Sequence, residues 1–166
     1  MKRTIFCTLL ATMGGTALAE DFRSSYVKFS LPSGWTCTLE RTEFVCDPPH
    51  LAGQPSSAIM ILTAKIAGPD DTLTAYAEHL NAVAEATGPG AMIQAPNYSL
   101  INGINWVDCT IDGSELKNYR TRYLAVAKNG IAILYTFSAH KDYYDRLAGS
   151  AVLAVNTLQT LDDWKK

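Results

Sequence analysis

No segment of the chain holds the ~20 consecutive apolar residues that a membrane-crossing helix needs, so no membrane span is expected. Nor is charge of one sign in excess: 14 Lys and Arg stand against 16 Asp and Glu. That balance excludes the basic footprint of a nucleic-acid binder and a polyacidic tail alike. Signatures of metal and catalytic chemistry are missing too. His50, His79 and His140 are scattered without a His-x-x-x-His pair, no Cys-x-x-Cys occurs, and there is no Gly-x-Ser-x-Gly elbow. Repeats and low-complexity runs are absent. No catalytic residue, cofactor or metal is therefore assigned.

What the N-terminus does hold is an export pattern. Lys2-Arg3 precede the apolar run Ile5 to Leu10, which continues through Ala11 and Met13, and Ala17-Leu18-Ala19 supply small residues before Glu20. Signal peptidase reads that order, so residues 1–19 are expected to be a signal peptide cut between Ala19 and Glu20. The only nearby cysteine, Cys7, lies inside the apolar run, so there is no lipobox. Residues 20–166 are then a single domain, large enough for one core and destined for the periplasm or beyond.

Export leaves Cys37, Cys46 and Cys109 in an oxidising compartment. Trp35 to Leu39 and Phe44 to Asp47 read as two strands. A two-residue turn at Arg41-Thr42 sets Glu40 against Glu43, Leu39 against Phe44 and Cys37 against Cys46. That pairing is a non-hydrogen-bonded one, where Cα atoms approach closely enough for a disulfide. Arg-Thr is not a favoured hairpin turn, and a four-residue loop of the same register is the alternative. Cys109, on a strand with no histidine nearby, reads as a buried thiol that stays reduced.

Further strands are expected at Ser25 to Leu31, Ala58 to Ile66, Tyr98 to Ile101, Asn105 to Ile111, Leu116 to Lys128 and Ile131 to Ser138. Ala58 to Ile66 is apolar on both faces, as in a central strand covered on both sides. Pro69-Asp70-Asp71-Thr72 opens a helix carrying Leu73, Tyr76, Leu80 and Ala84 on one stripe, and Gly88-Pro89-Gly90 stops it. Asn129-Gly130 sets Lys128 against Ile131 and Arg122 against Phe137. One face then carries Leu124, Val126, Ile133, Tyr135 and Phe137. Helical spacing returns after Asp142 through Tyr144, Leu147, Ala151, Val155 and Leu158, before a polar tail. The fold class is α+β: an antiparallel sheet of about six to seven strands flanked by helices.

Tyr26-Val-Lys-Phe-Ser-Leu-Pro-Ser-Gly-Trp35, the Ile59 to Ala64 strand leading to the Leu73 helix, and the strand and helix from Ile131 to Leu158 together resemble the PsbP-like superfamily. That superfamily of α-β-α sandwiches includes a nuclear Ran-binding branch and periplasmic members of the DcrB type. The resemblance implies a sandwich over nearly the whole mature chain and protein binding without a shared catalytic site. The cysteine pair is not part of its common pattern.

Asp108, Asp112 and Glu115 lack calcium-loop spacing and read as turn residues, and Gly88 and Gly90 follow a helix where a phosphate cradle would open one. Tyr119-Arg120-Thr121-Arg122-Tyr123 places two arginines on one face of a strand and tyrosines on the other, a composition suited to docking. Tyr119, Arg120, Arg122 and Tyr123 are the candidate partner patch, and alanine at both arginines is expected to leave the fold intact. The sequence thus points to an exported, non-enzymatic binding or adaptor domain for an unknown envelope protein. Two alternatives stay open: a small-ligand or lipid carrier with a sheet–helix pocket lined by Tyr135 and Phe137, and an enzyme whose residues converge only on folding.

Overall fold

The structure is a computed structural model describing residues 19–49 and 57–165. The expected signal segment up to Leu18, and His50, lie outside the described residues. In chain order the elements are β1 (Ala19–Arg23), β2 (Val27–Pro32), β3 (Thr36–Glu40), β4 (Glu43–Asp47), β5 (Ala58–Ile66) and α1 (Leu73–Thr87). There follow β6 (Met92–Ile101), β7 (Ile104–Asp112), β8 (Tyr119–Lys128), β9 (Ile131–His140), α2 (Lys141–Ala151), α3 (Leu153–Asn156) and β10 (Gln159–Thr160), and a 3-10 turn at Asp163–Lys165.

Seven strands form one antiparallel sheet in the order β3-β4-β5-β9-β8-β7-β6, in agreement with the α+β reading. A second, three-stranded sheet, β1-β2-β10, was not foreseen, nor were β1 and β10. Helix α1 packs on one face of the large sheet against β6, β7 and β8. On the other face lie α2, α3 and the small sheet. Their shared core holds Phe29, Leu31, Met60, Leu62, Trp106, Leu124, Ile133, Tyr135 and Phe137, each 1% exposed or less. Each such side chain contributes on the order of 1.5–3 kcal/mol.

Local chemistry explains the joints. Thr72 caps α1 by accepting from the Ala75 amide at 3.1 Å, and Gly88, at φ 122°, ends it. Both Asn102-Gly103 (φ 50° and 67°) and Asn129-Gly130 (φ 54° and 79°) turn with positive φ, the geometry of tight hairpins. Pairing across the second follows the expected register, from Lys128 against Ile131 to Arg122 against Phe137. The five residues assigned to one face there are all buried. Between β3 and β4 the turn is the two-residue one, with Arg41 at φ 59°.

Three expectations need correction. Strand β6 begins at Met92, well before Tyr98, because two register shifts and Pro96 break the alternation that marks a strand. The C-terminal helix is two, α2 and α3, divided at Val152, whose φ of −66° and ψ of −13° remain helical. Strand β5 is covered fully on one face only: Met60 and Leu62 are buried, whereas Ile59 and Ile61 are half-buried because α1 lies over β6 to β8.

Candidate functional site

Strand β8 divides two clefts, because its successive side chains point to opposite faces. On the α2 side Arg120 opposes Asp112 of β7 directly, while Arg122 opposes Thr110 and reaches diagonally to Asp108. Arg120 donates from Nε and Nη2 to the Asp112 carboxylate at 2.8 and 3.3 Å. Arg122 does the same to Asp108 at 3.0 and 2.7 Å. Asp108 is buried and also accepts from Ser99 Oγ at 2.8 Å. Hydrogen bonding to the carboxylates raises both guanidinium pKa values. Burial pushes the Asp112 carboxyl up, but Arg120 and Lys141, the latter 3.0 Å away, outweigh it and hold it below its ordinary value.

Beside these pairs runs an open groove of about 570 Å³, lined by Gln94, Thr110, Arg120, Arg122 and Tyr144. The Arg120 guanidinium sits 5.5 Å from the Tyr144 ring centre, and Tyr144 packs in turn on Phe137. One planar cation over the Tyr144 ring and a second beside it, each held by a carboxylate, leave little side-chain freedom to be lost on binding. The arginines are not spare side chains. Removing Arg122 would leave the buried Asp108 carboxylate with Ser99 as its remaining side-chain donor, which argues against the expectation that the fold tolerates that loss.

The tyrosines of the candidate patch lie elsewhere. Tyr123 is 6% exposed on the α1 side, packed with Val107, Cys109 and Ile111. Its hydroxyl donates to Glu115 and lies 2.9 Å from Ser114 Oγ, and burial raises its pKa. Tyr119 sits edge-on to His140, centroids 5.6 Å apart. The sheet therefore separates Arg120 and Arg122 from Tyr119 and Tyr123, and the four do not form one surface.

A second cleft, of about 280 Å³, opens between α1 and the sheet, with Tyr76, His79, Leu80, Tyr123, Leu134 and Thr136 on its walls. A sheet–helix pocket was expected on Tyr135 and Phe137. Both are core residues, and strand alternation gives the cleft Leu134 and Thr136 in their place.

Cys37 and Cys46 are bridged, their Cα atoms 4.1 Å apart in the register read from sequence. Cys109 is a free, buried thiol 3.8 Å from Met92 Sδ, and burial pushes its pKa up to about 11. His140 caps α2 by accepting from the Asp142 amide. Among the described residues no three His, Cys, Asp or Glu side chains are placed to share a metal, and no helix is long and apolar enough to cross a membrane. Sequence reasoning missed the two Arg–Asp pairs. Their signal was the alternation Asp108, Thr110, Asp112 facing Arg120, Arg122, but it needs the β7–β8 register, which no tight turn announces.

No protein-family model matches the chain, and no curated protein matches it in sequence. Solved structures share its fold. Cyanobacterial PsbP (CyanoP) of Synechocystis sp. PCC 6803 superposes with a TM-score of 0.59 at 12% identity, over 91% of this chain and 97% of its own. The Ran-binding protein Mog1p of Saccharomyces cerevisiae gives 0.54 at 9% identity, over 89% and 97%. LpqN, involved in cell envelope biogenesis of Mycobacterium tuberculosis, gives 0.55 at 11%, over 90% and 87%. The chain spans only 50% of a further similar structure, a Bacteroides thetaiotaomicron VPI-5482 protein, at a TM-score of 0.60 and 14% identity. The fold is thus the PsbP/Mog1-like one that the sequence resembled.

Proposed function

We propose that this PsbP/Mog1-like domain is an exported, non-enzymatic binding or adaptor module that docks a protein partner in the cell envelope through the groove between β6 to β8 and α2. The observation that carries the reading is the pair of guanidiniums fixed by Asp108 and Asp112 beside the Tyr144 ring. Their Nη1 donors take no part in those pairs, and arginine and tyrosine are the residue types that anchor interfaces. Export is supported by the pattern of residues 1–19, by the Cys37–Cys46 bridge, and by the shared fold of LpqN, a protein of envelope biogenesis. Protein binding is supported by Mog1p, a Ran-binding protein of the same fold.

One observation favours a second reading, small-ligand carriage: the cleft under α1 is walled mainly by apolar side chains, Tyr123 among its lining residues. Its 280 Å³ falls just short of the ~300–1,000 Å³ usual for ligand sites, so it ranks second.

The test is capture of the partner from the envelope fraction by the exported protein and by its Arg120→Ala variant. Arg120 is the better probe because Lys141 still pairs with Asp112 in its absence. A small drop in melting temperature, limited because Lys141 still holds Asp112, with clearly weaker recovery of the same protein is expected. Equal recovery removes the groove from the reading. An exported protein whose N-terminal sequence still starts at Met1 removes the processing step.

A further inference from the structure

We propose that the free edge of β6 pairs antiparallel with β6 of a second copy of this chain, the two-fold axis passing through Ser99. Strand β6 ends the large sheet and, among the described residues, pairs with β7 alone. Its first half, interrupted by two register shifts and Pro96, is a poor template. Asn97 to Ile101 run in unbroken register to the Asn102-Gly103 turn.

The hydrogen-bond phase of this stretch is set by that turn. In a two-residue hairpin the flanking residues, Ile101 and Ile104, exchange both bonds, so Ser99 and Asn97 also bond inward to β7. Tyr98 and Leu100 then turn their amides and carbonyls to the open edge. A two-fold at Ser99 sets Tyr98 against the copy's Leu100, and Leu100 against its Tyr98, as hydrogen-bonded pairs. Four interchain bonds form and no outward group in the stretch is wasted.

Side chains agree with that phase. Tyr98 is 60% exposed and Leu100 76%, both on one face, and the pairing makes two aromatic–aliphatic cross-strand contacts between them. Edge strands are ordinarily guarded by charge, yet Ala86 to Val107 contains no Asp, Glu, Lys or Arg. No like charges meet across the axis, and the same segment serves both sides as an isologous interface must. The opposite edge differs: β3 has five residues and carries Glu40. A contact this small belongs to the weak, concentration-dependent class.

Sedimentation of the exported protein over a concentration series, with Leu100→Lys alongside, tests the pairing. A reversible dimer is expected, with its dissociation constant raised about tenfold or more by Leu100→Lys, which sets a charge against Tyr98. Ser99→Cys adds a geometric test: two Ser99 residues meet at a non-hydrogen-bonded position, within disulfide reach. Under oxidised glutathione Ser99→Cys should give a covalent dimer and Asn97→Cys should not, because Asn97 faces the copy's Ile101. A monomer at every concentration, an unshifted constant, or equal cross-linking by both cysteines overturns the proposal, and the first of these leaves the edge to a different chain. Arg120→Ala should leave the dimer unchanged, which keeps this result separate from that for the groove.

Discussion

Arg122 on β8 clasps Asp108 on β7 through both Nε and Nη2, and the carboxylate it holds is one of four buried polar residues on the described chain. The arginine keeps 28% of its side chain exposed and the aspartate 4%. The pair therefore tethers the rim of the groove to the sheet interior. Arg122→Ala should cost about 3 kcal/mol, the lower end for breaking a buried pair, because water still reaches the guanidinium. Replacing both partners by apolar residues should cost less than either single change. Urea unfolding of the four proteins in a double-mutant cycle checks this, and a vanishing coupling would reduce the pair to a surface contact.

Acid should weaken the fold through Asp71 and Asp112. The Gly68 amide, the Tyr76 hydroxyl and Lys65 hold the Asp71 carboxyl below its ordinary 3.8, and for Asp112 the two cations outweigh burial. Carboxyls depressed on folding contribute stability that is complete above the unfolded value. It is lost as pH falls through the lower folded one. Stability should thus hold down to about pH 4 and decline below it. Asp112→Asn should be less stable at neutral pH and decline less steeply in acid, as measured by denaturation midpoints across the pH series.

Much of this arrangement was legible because two signals are local. Asn129-Gly130 fixed the β8–β9 register, and strand alternation then sorted Leu124, Val126, Ile133, Tyr135 and Phe137 to the core. Cys37 and Cys46 found their pairing from a turn that composition disfavours, since the bridge and the register support Arg41 at φ 59°. The groove was illegible for the opposite reason. Asp112 and Tyr119 are joined by an irregular connection, so nothing in the chain says that Asp108 lies diagonal to Arg122. Tyr119 and Tyr123 do lie on the face opposite the arginines, as the alternation indicates, and the sheet between the two faces keeps the four from forming one patch.

The bridge and the lone thiol should separate cleanly in a thiol assay. Of Cys37, Cys46 and Cys109, none should react with iodoacetamide in the folded protein, and Cys109 alone should react after unfolding without reductant. Burial, with its pKa pushed up to about 11, keeps Cys109 a neutral thiol. Cys37→Ala with Cys46→Ala frees a loop of 9 residues' separation, so the loss should be roughly 2–3 kcal/mol by chain entropy. A mixed bridge to Cys109 in peptide maps would contradict the fold as well as the pairing.

Gly130 joins a tight turn to the C-terminal segment. Its φ of 79° is one that L side chains rarely adopt, and its carbonyl accepts from the Ala67 amide at 2.9 Å, tying the approach to α1 onto the β8–β9 hairpin. A Cβ at this position would also lie 3.4 Å from the Trp164 ring. Gly103 supplies the comparison, with a φ of 67° and nothing within 4 Å of the added carbon. Alanine at either glycine should cost about 1–2 kcal/mol for the left-handed backbone. Only Gly130→Ala should also disturb Trp164, since its Cβ alone meets that ring, while Trp35 and Trp106 stay buried at 2% and 0% exposure. Urea midpoints and tryptophan emission of the two variants check the pair of expectations. Similar stability losses with an emission change in Gly130→Ala alone are the expected result, and an unchanged spectrum in both would detach Trp164 from the turn.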